Sequence, residues 1–207
     1  ASPAERRMAS AAPGEAAELL AAVIHSRQTV LPKRLGSPAP DAAQLTMILG
    51  SAAAAPDHGQ ITPWRFVIVP ESARGRLADV FAAALRARDA QATPEQVAQA
   101  REKAFRAPLL MLAIGQLEGG DPEIDATERL LSAGCAIQNM LLTAHALGFG
   151  TALTSGKALR SQALRSLFAL TAHEQALCFI SAGTAHKHKP GRQRPGPERY
   201  VTVLDAA

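Results

Sequence analysis

Apolar residues recur along this chain in two rhythms, one helical and one continuous. From Glu15 to Ser26 the spacing of Leu19, Leu20, Val23 and Ile24 is helical. Asp41 stands where a cap would open a second helix, whose Leu45, Ile48 and Leu49 recur through alanines up to Ala55. Residues 72–106 read as two helices split at Thr93-Pro94, with Thr93 as cap and Pro94 in the first turn. A long helix is expected from Pro122 to Leu147, and another over 157–168. Between these lie short, fully apolar runs, the pattern of buried strands: WRFVIV at 64–69, PLLMLAIG at 108–115, FGTALTSG at 149–156 and ALCFISAG at 176–183. The terminal RYVTVL can be a strand only if something offers it an edge.

The 122–147 segment carries Leu130, Leu131, Ile137, Met140, Leu141 and Leu142 around much of its circumference, with Ala133, Gly134 and Ala136 midway. Such a helix has to be covered on more than one side, and in a chain of 207 residues the second cover can come from another subunit. The pattern predicts one α/β sandwich domain with few strands and many helices, over 15–207, behind a disordered tail at 1–14.

Composition narrows the chemistry. Hydrophobic residues make up 47% of the chain but aromatic ones only 4%, so the core has to be aliphatic and the helices closely packed through alanine. No apolar run approaches the roughly 20 residues that a membrane span needs, and a soluble, cytoplasmic protein is expected. Cys135 and Cys178 form no CxxC pair and have no histidine at metal-ligand spacing, which predicts two buried small hydrophobes in a reducing compartment. The net charge of +4 is scattered among acids except in the tail, at 187–194, so nucleic-acid binding is not expected.

Familiar catalytic motifs are absent. GFGTALTSGKA is one residue too long for a phosphate-binding loop and has Ala158 where a magnesium-binding hydroxyl would stand. Gly148 and Gly150 lack the third glycine of a dinucleotide fingerprint, no GxSxG elbow occurs, and the adjacent Asp57 and His58 cannot form a relay. His145, within the long helix, reads as a core or helix-end residue.

In order along the chain, APDHGQITPWRFVIV after an alanine-rich helix, SAGCAIQNMLLTAHALGFGTALTSG, and a FISAGT strand before a basic tail resemble the nitroreductase family, above all its small FMN-dependent branch. The likeness runs over about 18–204. It implies an α+β fold, an α/β sandwich whose mostly antiparallel central sheet is flanked by helices, in an intertwined homodimer with FMN at the interface. The C-terminal arm of such proteins commonly packs on the partner.

The resemblance places a first flavin segment on Ser26, Arg27 and Gln28. It places a second on the APDH loop, where His58 matches and Ala54 replaces an arginine that relatives direct at the partner's flavin. A third falls on Leu153, Thr154 and Ser155, where relatives often carry Trp-Arg-Ser; the replacement predicts a pocket less aromatic and less positive. The tail basics Lys189, Arg192 and Arg194 match a pattern aimed at the FMN phosphate, which Arg27 would share. Read by themselves, Arg27 can equally complement a helix dipole, the tail basics can be solvated, and His58 can hold loop backbone.

The activity implied is ping-pong hydride transfer from NADH or NADPH through FMN to a nitroaromatic, quinone or similar electron-poor small molecule. No catalytic side chain is needed, because the flavin carries the chemistry, and no metal is expected. A flavin-binding homodimer without turnover is the other reading.

Overall fold

The computed structural model describes residues 13–187, 191 and 193–204. Five strands form the sheet: β1 (Leu35–Gly36), β2 (Trp64–Ile68), β3 (Leu109–Gln116), β4 (Gly150–Thr154) and β5 (Glu174–Ala185). β5 is the hub. It pairs with β3, β4 and β1, while β2 lies outside β3, and every one of these ladders is antiparallel. A single parallel bridge, Thr29 with Thr151, lays the chain after the first helix along β4.

Helices cover both faces. On one side, α2 (Ala42–Ser51) and α5 (Ala126–Ala146) bury Ile48, Ala136, Ile137 and Met140 against Leu109, Met111 and Ala113 of β3. On the other, α3 (Glu71–Arg88) and α6 (Gln162–Leu167) bury Leu77 and Leu164 against Leu110, Leu112 and Ile114. The two-residue period of β3 thus serves both layers, which is why that strand is apolar at nearly every position. The remaining helices are α1 (Pro13–Ser26) and α4 (Pro94–Glu102).

A register shift between Ala113 and Ile114 leaves Leu177 of β5 without a cross-strand partner. The extra residue swaps the faces of what precedes it. Leu177 stays with Cys178 on the α5 side, and Ala176 turns to the α6 side. Glu174, beyond the bulge, meets Arg65 there: Nε and Nη2 of Arg65 donate to its two carboxylate oxygens over 2.6 and 3.0 Å.

Both predicted caps form, and each is completed into a capping box, Asp41 with Gln44 and Thr93 with Gln96. Several expectations need correction. The second helix stops at Ser51 and tightens into a 3₁₀ turn over Ala52–Ala54. The 157–168 segment is a 3₁₀ turn, Lys157–Arg160, followed by α6, because Ser161 accepts from Leu164 N and starts a new helix. The terminal RYVTVL finds no edge in this chain; Tyr200, Val201, Val203 and Leu204 lie exposed outside any strand. Cys178 is buried, with its thiol pushed up to about 11 by desolvation, but Cys135 is exposed on the outward side of α5. Leu130 and Leu131 of that helix are likewise uncovered, as are Leu19, Leu20 and Ile24 of α1.

Two arginines are buried where composition gave no sign of it. Arg74 donates to the carbonyls of Val69, Ala104, Ala107 and Pro108, tying α3 to the turn before β3. Arg129 donates to Ile124 O and Asp121 O, closing the loop that leads into α5. Among the described residues no helix is long and apolar enough to cross a membrane, and no cluster of His, Cys, Asp and Glu is placed to hold a metal.

Candidate functional site

α1 ends on Ser26, and the chain then turns to run beside β4, so Ser26, Arg27 and Gln28 leave the helix together at the sheet edge. Ser26 Oγ is fixed from across the fold by Nε2 of His145 at 2.8 Å. Arg194, arriving from the C-terminal segment, donates from Nη2 to the carbonyl of Arg27 over 2.9 Å. Arg194 is close enough to disfavour the charge of Arg27. Partial burial first, and then Arg194, lower the pKa of Arg27. Among the described residues no carboxylate forms an ion pair with either arginine. Two neighbouring cations that lack an acid have the charge and the donors to receive an anion such as a phosphate. Ser26 and Gln28 also line a cleft with His145, Arg34 and Lys187, so further donors and positive charge stand close by.

The APDH loop is built under strain. Gly59 at φ 70° is followed by Gln60 at 53° and Thr62 at 47°, the last a β-branched residue for which such a backbone is costly. Asp57 holds the loop through Oδ2, which accepts from Thr62 N at 2.7 Å. Its other oxygen, Oδ1, is buried without a hydrogen-bond partner among the described residues. A buried carboxylate oxygen left so calls for a donor from outside the described chain. His58 faces outward, with Nδ1 3.3 Å from Glu128 at the start of α5. Pro63 is fully buried and Trp64 packs on the α2–α5 core, so the tryptophan anchors the loop to the sheet.

β4 delivers the third segment. Thr151 and Ala152 are buried against β5, whereas Leu153, Thr154 and Ser155 emerge into solvent. From Ser155 a groove of about 1060 Å³ opens between the 3₁₀ turn after β4 and the loop before β5.

Comparison with known proteins bears directly on this arrangement. The profile of the Nitroreductase family matches residues 24–184. The chain belongs to the nitroreductase family. The Escherichia coli K12 protein named "Putative NAD(P)H nitroreductase YdjA" is 32% identical over 172 residues, 83% of this chain and 92% of its own length. Among solved structures, a nitroreductase-like family protein from Bacillus cereus superimposes with a TM-score of 0.76 at 19% identity, over 90% of this chain and 96% of that one. An FMN-dependent nitroreductase from Clostridium difficile R20291 superimposes with a TM-score of 0.63 at 17% identity, over 90% and 99%. These likenesses bear out the α+β fold of nitroreductases and make the chain an oxidoreductase.

Within this nitroreductase chain the structure unites some of the predicted residues and leaves others apart. At the end of α1, Arg194 reaches the carbonyl of Arg27, and Ser26 and Gln28 on either side of it line the same cleft. Leu153, Thr154 and Ser155 lie together at the end of β4. Ala54 ends the turn after α2, and no hydrogen bond or ion pair among the described residues joins it or His58 to either group. Lys189 and Arg192 fall outside the described residues. Sequence reasoning passed over His145 as a partner of Ser26, and Lys157 and Arg160 on the groove; nothing in the spacing relates positions 119 residues apart.

Proposed function

We propose that the protein is an FMN-dependent NAD(P)H oxidoreductase that acts on electron-poor aromatic or quinone acceptors as a homodimer. The observation that carries this reading is the acid-free convergence of Arg27 and Arg194 beside the edge of β4. Their charges would hold the FMN phosphate, with Ser26 as an additional donor kept in place by His145. The exposed end of β4, at Leu153–Ser155, would support the ring system and leave one face open. Bound there, FMN would supply hydride acceptance from NADH or NADPH and hydride donation to the acceptor.

Support for the homodimer comes from what a single chain leaves uncovered. Leu19, Leu20 and Ile24 on α1, Leu131 on α5, and Val203 and Leu204 in the tail, which are 87% and 96% exposed, are too much apolar surface for an isolated domain. A second copy would cover it and would bring its own His58 and Ala54 loop toward this chain's flavin. The orphaned Asp57 Oδ1 would find its donor in the same assembly.

The test is direct. Purified protein incubated with FMN and desalted should keep a yellow colour, and NADH or NADPH should bleach it anaerobically. Protein that takes up no FMN overturns the flavin reading, and protein that takes it up but is never bleached is a binder without turnover.

A further inference from the structure

The groove that opens at Ser155 carries more positive charge than its own acids neutralise. Glu174 is held by both ends of Arg65 and also accepts from Thr171 N at 2.9 Å. Glu118, 3.7 Å from His173, is the other acid of the lining, and the two carboxylates are outnumbered by Lys157, Arg160 and Arg165. Arg165 is committed to the carbonyls of Glu174 and Thr171. Lys157 and Arg160 remain. Both line the groove, both are exposed, and neither makes an ion pair or a side-chain hydrogen bond among the described residues.

Their placement follows from the local backbone. Lys157–Arg160 is a 3₁₀ turn, in which side chains three apart eclipse one another. The two cations therefore leave the same side of the turn, beside the strand end on which the proposed flavin ring would rest. Leu117, Leu159 and Leu177 give the wall an apolar stretch among its polar residues, which include Glu118 and the Arg65-bound Glu174. An apolar stretch next to two cations without ion-pair partners matches a flat aromatic body that carries an anionic group.

We infer that the groove recognises the oxidising substrate, an electron-poor aromatic carboxylate whose anion is met by Lys157 and Arg160. The inference rests on the flavin reading for the reaction, but not for the binding. It replaces the expectation of a pocket depleted of charge: position 154 carries no arginine, and the charge comes instead from residues three and six positions further on.

Two measurements test it. With FMN-reconstituted full-length protein, kcat/KM for 4-nitrobenzoate is compared with that for nitrobenzene, in the unaltered chain and in Lys157→Gln/Arg160→Gln. The unaltered chain should favour the carboxylate by about tenfold or more, and the double variant should lose most of that ratio through KM. Separately, benzoate is titrated against the protein by ligand-observed NMR, which requires no turnover; its affinity should fall by about tenfold in the double variant. If neither substrate is reduced while benzoate binding responds to the substitutions, the flavin reading fails and the groove assignment stands. Equal rates on the two substrates in the unaltered chain, benzoate binding indifferent to the substitutions, or a loss that instead follows the NADPH-to-NADH ratio would each overturn the inference. In the last case the anion bound is the reductant's phosphate.

Discussion

Ser26 at the end of α1 and His145 near the end of α5 meet at 2.8 Å, and this contact sets where the segment proposed to bind flavin leaves its helix. A neutral hydrogen bond of this kind contributes about 0.5–1.5 kcal/mol. His145→Leu should therefore weaken FMN binding by roughly threefold to tenfold, read by fluorescence titration. His145→Gln, which can still reach the serine, should recover part of it, and a variant of unaltered affinity would remove His145 from the site.

Arg27 and Arg194 should respond in opposite ways with and without ligand. Each charge-assisted bond to a phosphate contributes about 1.5–3 kcal/mol, so either single alanine variant should lose about tenfold to a hundredfold in FMN affinity. Without FMN the two cations repel. The thermal midpoint of ligand-free Arg194→Ala should consequently not fall below that of the parent, and added inorganic phosphate should raise the parent's midpoint but not the variant's.

The Arg65–Glu174 pair predicts an acid limb in stability. Bonding to Arg65 holds the Glu174 carboxyl down at about 2, against an ordinary value of 4.5. A depressed folded-state pKa adds stability that is present above the ordinary value and is lost as pH falls from about 4.5 toward about 2. Glu174→Gln should cost about 1–2 kcal/mol near neutrality, a value moderated by the partial exposure of Arg65. The gap between variant and parent in urea denaturation should narrow as pH drops through that window.

Arg74 is 5% exposed and serves four carbonyls. Arg74→Met keeps the aliphatic volume and strands those acceptors, so it should destabilise the fold by about 3 kcal/mol or more. Chemical denaturation measures this, and the slope against denaturant should be unchanged.

The elements easiest to read from residues were those that a single local cause produces. Asp41 and Thr93 announce their helices as caps, and the apolar runs of β3 and β5 form the buried strands expected of them. The equally apolar β2 is a half-buried edge strand because only β3 flanks it. β1 was missed because its two residues have no pattern of their own and are extended only because β5 lends them partners. Cys135 was misplaced because a small residue on a helix apolar on most sides carries no mark of which side the core occupies. In the site, the APDH and GFG segments were legible through resemblance. The meeting of Arg27 with Arg194, 167 positions apart, is a fact of topology, as is the shared side of Lys157 and Arg160 on the groove.

The central position of β5 has a consequence for how the chain is made. β3, β4 and β1 all wait for a strand that begins at Glu174, so a nascent chain that has not yet passed that point has helices but only the β2–β3 ladder of its sheet. Closure is then one late event in which three edges are paired together. An internal stop just ahead of residue 174 should leave a fragment with its strand edges open and prone to aggregation, however intact its helices.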